Sequence, residues 1–157
     1  FNHYLVLGHS VGGSMAINIA ANDKECDGLV TLAAQAYVED ITLNGIIQAK
    51  KIFAHPGQIA RLEKWHPQKA SWVLSAWTDR WLDDAFRQWS LDYCIKNVSC
   101  PVLAVHGDQD EYGSNGFPEF ISSKTSGPAT QLILKDCGHV PHKEKTEEVL
   151  NAIFAFI

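Results

Sequence analysis

Short apolar runs recur along the chain, and the apolar positions between them fall at helical spacing. The first run, Tyr4-Leu5-Val6-Leu7, stops at Gly8, and residues Asn2 to Gly8 read as a fully buried strand. Gly13-Ser14-Met15-Ala16-Ile17-Asn18-Ile19-Ala20-Ala21 follows as a small-residue helix that gives way to polar Asn22-Asp23. A turn at Cys26-Asp27-Gly28 leads into Leu29-Val30-Thr31-Leu32-Ala33-Ala34, a second apolar strand. Strand, helix and strand in so short a space make a right-handed βαβ unit, so the sheet is parallel.

The pattern changes from about Tyr37 to Asn97. Ile41, Ile46, Ile47, Ile52 and Phe53 predict one amphipathic helix, and Ile59, Leu62 and Trp65 predict another between the breakers Pro56 and Pro67. All five tryptophans, Trp65, Trp72, Trp77, Trp81 and Trp89, lie in this stretch, which reads as a helical insertion between two strands. Their rings either pack between insertion and sheet or line an apolar pocket beneath a lid. The sheet resumes at Pro101-Val102-Leu103-Ala104-Val105-His106 and empties into the carboxylate-rich turn Gly107-Asp108-Gln109-Asp110-Glu111-Tyr112-Gly113. A helix is expected over residues 118–124, a strand over Gln131-Leu132-Ile133-Leu134-Lys135, and a closing helix over 143–157, with Val149, Ile153, Phe154 and Ile157 on one side.

Composition narrows the picture. With 157 residues, 46% apolar and 20% charged, the chain is one ordinary globular domain in size. Its 13 basic and 18 acidic side chains leave a net charge of −5, so neither nucleic acid nor an anionic membrane surface is an expected partner. No apolar run approaches the length of a membrane span. Four cysteines, Cys26, Cys94, Cys100 and Cys137, form no CxxC pair, which reads as reduced thiols in a cytoplasmic protein. The chain opens on Phe1 rather than methionine, so the native start is expected upstream, and a signal peptide there stays open.

Candidate chemistry begins at Gly8-His9-Ser10-Val11-Gly12, a GxSxG pattern between a strand and a helix. By chance alone such a pattern arises in roughly one chain in twenty of this length, so its placement matters more than its letters. In that placement it is a nucleophile elbow, with Ser10 held in a strained backbone conformation and Gly8 and Gly12 expected to give it room. The N–H of Val11, free at the helix start, is a candidate oxyanion donor. In a parallel sheet the loops after the strands' carboxyl ends meet along one edge, and Ser10, Asp110 and His139 each occupy such a loop. Asp108 is a rival acid and His142 a rival base. Cys137, His139 and His142 could mimic metal ligands, but Gly138 and Pro141 break any shared helical face, so no metal is expected. His9 is expected to pack and hydrogen-bond rather than react. His3, His55, His66 and His106 show no partner in the sequence, and Tyr112 could serve either the pocket or the scaffold.

Three segments carry a family resemblance: Gly-His-Ser-Val-Gly-Gly at 8–13, Cys-Pro-Val-Leu-Ala-Val-His-Gly-Asp-Gln-Asp at 100–110, and Cys-Gly-His-Val-Pro-His-Lys-Glu at 137–144. In this order the chain resembles the part of an α/β-hydrolase-fold serine hydrolase that runs from the nucleophile elbow onward. The resemblance implies a parallel-sheet α/β fold with a helical lid insertion at 37–97, within a single partial domain over 1–157. It implies Ser10 as nucleophile, His139 as base and Asp110 as acid, acting on a small-molecule ester or related acyl substrate with no cofactor. A carbon–carbon bond hydrolase or a thioesterase would use the same three groups, and a ligand-binding protein could keep the fold without the chemistry. It implies further that the family's second oxyanion donor and first strands lie outside these residues. The elbow strand is then expected at a sheet edge, completed by upstream sequence or another chain, and the 157-residue chain alone is expected to be feeble.

Overall fold

A computed structural model describes residues 2–157. Its sheet has four parallel strands in the spatial order β1-β2-β3-β4, with β1 Tyr4–His9, β2 Cys26–Leu32, β3 Val102–Gly107 and β4 Ala129–Leu134. The register runs Leu7 opposite Val30, Val30 opposite Leu103, and Leu103 opposite Thr130. All four strands therefore end at one edge, which is where the chemistry-bearing loops begin.

Two compact units share the chain: one holds the sheet, from the N-terminal residues to Tyr37 together with Ser90–Ile157, and the other is Val38–Trp89. In the sheet unit, helix α1 (Val11–Asn22) crosses from β1 to β2 and buries Ile17 and Ala20. Helix α5 (Gly116–Lys124) crosses from β3 to β4 and buries Phe117 and Ile121. Right-handed crossovers put both on one face. The other face carries Val30, Leu32, Leu103, Val105 and Leu134, packed against Val149, Ile153 and Phe156 of the last helix, α7 (Thr146–Phe156).

The Val38–Trp89 unit contains helices α2 (Asp40–Phe53), α3 (Ala60–Glu63) and α4 (Ala70–Trp81). Asp40 in the first turn of α2 and Lys50 and Lys51 in its last complement the helix dipole. Lys50 Nζ meets Asp79 of α4 at 2.6 Å. The ring of Trp81 packs edge-on against Phe86 and Trp89 at centroid distances of 5.2 and 5.5 Å. Trp65 and Trp72, by contrast, are 72% and 68% exposed, so the five tryptophans do not act as one packing set.

Several expectations need correcting. Strand β1 is not fully buried: Leu5 and Leu7 are 45% and 52% exposed, because β1 pairs with β2 alone among the described residues and its alternate side chains point off the covered surface. The helical unit ends at Trp89 rather than at residue 97. Residues 90–97 instead form short 3-10 turns at Leu91–Tyr93 and Ile95–Asn97, whose Leu91 and Ile95 are buried in the sheet unit. The helix expected around Ile59 shrinks to the single turn α3, and α4 forms where the apolar pattern predicts no helix. The closing helix is broken at Lys145 into α6 (Pro141–Glu144) and α7. Strand β2 starts at Cys26, ahead of its apolar run, and stops at Leu32, because Ala33 leaves the extended conformation at φ 48°. No helix among the described residues is long and apolar enough to cross a membrane.

Candidate active site

Strand β1 runs into Ser10, whose N–H donates to Leu32 O at 2.9 Å, and α1 starts at the next residue. Ser10 has φ 56° and ψ −128°, a conformation that side chains resist and that a tight strand-to-helix turn imposes. The turn requires glycine at position 8, where a Cβ would stand 2.1 Å from Gly12 O. At Gly12 itself a Cβ would meet nothing within 4 Å, contrary to the motif-based expectation. The second crowded position is Gly13, where a Cβ would lie 2.5 Å from that of Ala34. Ser10 O is taken by the N–H groups of Gly13 and Ser14, whereas the Val11 N–H has no acceptor among the described residues.

Strand β3 delivers Asp110. Gly107 at its end presses on the histidine loop, for a Cβ there would sit 2.2 Å from Cys137 O. The Gln109 N–H donates to the same carbonyl at 2.8 Å, which ties the two loops together. Asp110 is 3% exposed, and its Oδ1 accepts the Tyr112 N–H at 2.8 Å. Its carboxylate oxygens lie 2.9 and 2.8 Å from His139 Nδ1. Buried His106 also has a partner here: its Nε2 is 3.0 Å from Gly113 O and 3.5 Å from Asp110 Oδ2. The rival Asp108 is directed elsewhere, with Oδ1 3.4 Å from the Cys137 amide.

The histidine loop is fixed at several points. The Glu144 carboxylate accepts the N–H of Gly138 at 2.8 Å and of Val140 at 3.0 Å, and these bonds hold its carboxyl below the ordinary range. His9 Nε2 stands 2.7 Å from His139 O, so this nitrogen carries a proton and donates. The Tyr112 ring meets the His139 ring edge-on at 4.7 Å. His139 Nε2 is 2.9 Å from Ser10 Oγ. With Nδ1 facing a carboxylate, the proton sits on Nδ1, and Nε2 is left as an acceptor for the serine hydroxyl. His142 packs on His9 at 4.8 Å, and its Nδ1 is buried without a hydrogen-bond partner among the described residues. Burial pushes the Cys137 thiol up to about 11, which disfavours a thiolate. Among the described residues, no group of three or more His, Cys, Asp and Glu could hold a metal ion.

One neighbour of Ser10 escapes a reading of motifs. Gln35, 5% exposed, brings Nε2 to 3.2 Å and Oε1 to 3.3 Å from Ser10 Oγ. The available signal was its place, a lone amide in the apolar stretch Leu32-Ala33-Ala34-Gln35-Ala36 just past a strand's carboxyl end.

Ser10, His139 and Asp110 thus stand together at one sheet edge, joined by hydrogen bonds. The profile of the alpha/beta hydrolase family matches residues 2–152, and the chain belongs to that family. Among solved structures it is similar to a membrane phospholipase A described as a bacterial virulence factor, at 19% identity and a TM-score of 0.74, covering 99% of this chain and 56% of that one. It is similar to the CarC serine hydrolase of carbazole degradation, at 20% identity and a TM-score of 0.73, covering 99% and 64%. It is also similar to the meta-cleavage product hydrolase CumD of Pseudomonas fluorescens, at 21% identity and a TM-score of 0.72, covering 99% and 64%. The chain thus spans 56% to 64% of the length of these structures, and the likeness is one of fold. A search of curated proteins returns no match.

Proposed function

We propose that the protein is a serine hydrolase that cleaves a small ester or related acyl compound through an acyl-enzyme. The observation that carries this reading is the unbroken relay from Ser10 Oγ to His139 Nε2 at 2.9 Å and from His139 Nδ1 to Asp110 at 2.8 Å. A serine hydroxyl is a weak nucleophile until a base removes its proton. In this reading His139 takes that proton as Oγ attacks the carbonyl carbon, and returns it to the leaving group as the acyl-enzyme forms. A water then attacks the acyl carbon with His139 again as base. Asp110 holds the imidazole in the required tautomer and balances the imidazolium. The Val11 N–H donates to the oxyanion at the start of α1. Free thiols at Cys26, Cys94, Cys100 and Cys137 support a cytoplasmic setting.

Carbon–carbon bond hydrolysis is the second reading, because a meta-cleavage product hydrolase shares the fold and the same groups could expel a carbon leaving group. Assay of the full-length protein on p-nitrophenyl acetate, with Ser10→Ala alongside and a fluorophosphonate probe, tests both. Ester turnover and labelling that vanish in Ser10→Ala are the expected result. Labelling without ester turnover would turn attention to carbon–carbon substrates and thioesters. Unchanged turnover in Ser10→Ala, or no labelling of the native protein, would remove Ser10 from the chemistry and leave a ligand-binding protein.

A further inference from the structure

Beyond the three relay residues, a fourth side chain touches the reacting oxygen. Strand β2 ends at Leu32, and Ala33 then adopts φ 48°, a left-handed conformation costly for a residue with a side chain. That turn carries Gln35 beneath Ser10, with Ala34 and Ala36 buried on either side. The main-chain carbonyl of Gln35 accepts the Ser14 hydroxyl of α1 at 2.6 Å, so the helix behind the nucleophile anchors it. Among the described residues, the carboxamide has no hydrogen-bond partner other than Ser10 Oγ.

Counting protons fixes the direction of that contact. Ser10 has one hydroxyl proton, and His139 Nε2, bare and 2.9 Å away, is its nearest acceptor. The hydroxyl therefore has none left for Gln35 Oε1, and the hydrogen bond that remains is Gln35 Nε2–H donating to Oγ at 3.2 Å. We propose that Gln35 is a further catalytic residue, whose N–H orients the Ser10 hydroxyl toward His139 and stabilises Oγ as it departs from the acyl carbon. This rests on the serine-hydrolase reading.

The two half-reactions use the bond differently. In acylation an Oγ electron pair forms the bond to carbon while the proton moves to His139 Nε2, and the leaving group takes that proton. A donor on Oγ aids loss of the proton but draws on the pair that must attack, so its effects oppose each other. In deacylation water bonds to the acyl carbon and gives its proton to His139. The C–Oγ bond then breaks, the pair returns to Oγ, and His139 Nε2–H reprotonates it. Here a donor on Oγ helps throughout. Gln35 should thus matter more for deacylation than for acylation.

The experiment uses the full-length protein, stopped-flow with p-nitrophenyl acetate, and fluorophosphonate labelling. Gln35→Met keeps the volume and removes the N–H. It should still label at Ser10 and still give a burst, while steady-state turnover falls about 10- to 100-fold, the range for a hydrogen bond to a charged oxygen. Gln35→Glu places an acceptor beside Oγ when ionised and a donor when protonated, so its turnover relative to wild type should rise as pH falls from 8 to 5. Steady-state turnover of Gln35→Met within twofold of wild type would overturn the proposal. So would equal losses in burst and steady state, because filling space would explain them. Should Gln35→Met fail to fold, the Gln35→Glu ratio decides, and a ratio flat with pH overturns the assignment. A wild-type protein that neither labels nor turns over fails earlier, at the serine-hydrolase reading.

Discussion

Glu144 holds His139 without touching it. The two carboxylate oxygens accept the N–H groups of Gly138 at 2.8 Å and Val140 at 3.0 Å, one on each side of the imidazole-bearing residue. Those bonds lower the carboxyl's pKa, so the tether is complete above the ordinary carboxylate range near 4.5 and is lost as pH falls through the lower value in the fold. Glu144→Ala should reduce ester turnover by about tenfold through a misplaced base. Because Glu144 is exposed, stability should fall by about 1 kcal/mol or less. Steady-state kinetics and a urea midpoint measure the two effects, and wild-type turnover in Glu144→Ala would show that the loop does not need its tether.

Asp110 and Asp108 stand two residues apart yet face different partners. Asp110→Asn can no longer select the Nδ1–H tautomer, and turnover should fall about 10³- to 10⁴-fold with little change in the urea midpoint. Asp108→Asn removes the charge but keeps an oxygen that can accept the Cys137 N–H, and this long contact contributes little in either form, so turnover should stay within about threefold. A reversed order in the assay would reassign the acid.

The elbow glycines should separate cleanly under substitution. Gly12→Ala adds a methyl to open space in a helix and should leave stability unchanged or raise it by about 0.5–1 kcal/mol. Gly13→Ala drives a methyl into Ala34 and should cost about 1–3 kcal/mol. Gly8→Ala meets backbone, which cannot swing aside, and should cost more than Gly13→Ala. Urea midpoints of the three variants test the order, and equal losses at 12 and 13 would contradict it.

His9 links the histidine loop to acid sensitivity. Burial lowers its pKa below 6.5, against the raising effect of its hydrogen bond to His139. A group whose pKa is depressed in the fold takes up protons more readily when unfolded. Its contribution is therefore intact above about 6.5 and is lost as pH falls toward the folded value. His9→Gln keeps a donor for the His139 carbonyl and removes the titration, so its urea midpoint should fall less between pH 7 and pH 5 than that of wild type. Parallel falls would show that the acid loss arises elsewhere.

The placement of the candidate site was legible in the sequence because its residues follow strand ends. Once Tyr4–Leu7, Leu29–Leu32, Val102–Val105 and Leu132–Leu134 are read as parallel strands, Ser10, Asp110 and His139 fall at one edge without further information. What stayed hidden depends on packing across the chain. The demand for glycine at 13 comes from Ala34, a residue 21 places away that no elbow motif mentions. His106 finds its partners in a loop that folds back over it, and Gln35 is an ordinary amide until Ser10 is set above it. Helix α4 carries Ser71, Trp72, Val73, Ser75, Trp77 and Thr78, residues of weak helix propensity with no clear apolar stripe, so local pattern gave no sign of it.

Ser10 occupies backbone space that glycine enters freely and every other residue enters at a cost of about 1–3 kcal/mol. Replacing it with glycine should release part of that cost, and Ser10→Gly should melt at or above the temperature of Ser10→Ala. In the proposed hydrolase, durability and reactivity therefore make opposing demands on a single position. A population selected for heat resistance alone would drift toward a quiet protein with a firmer elbow.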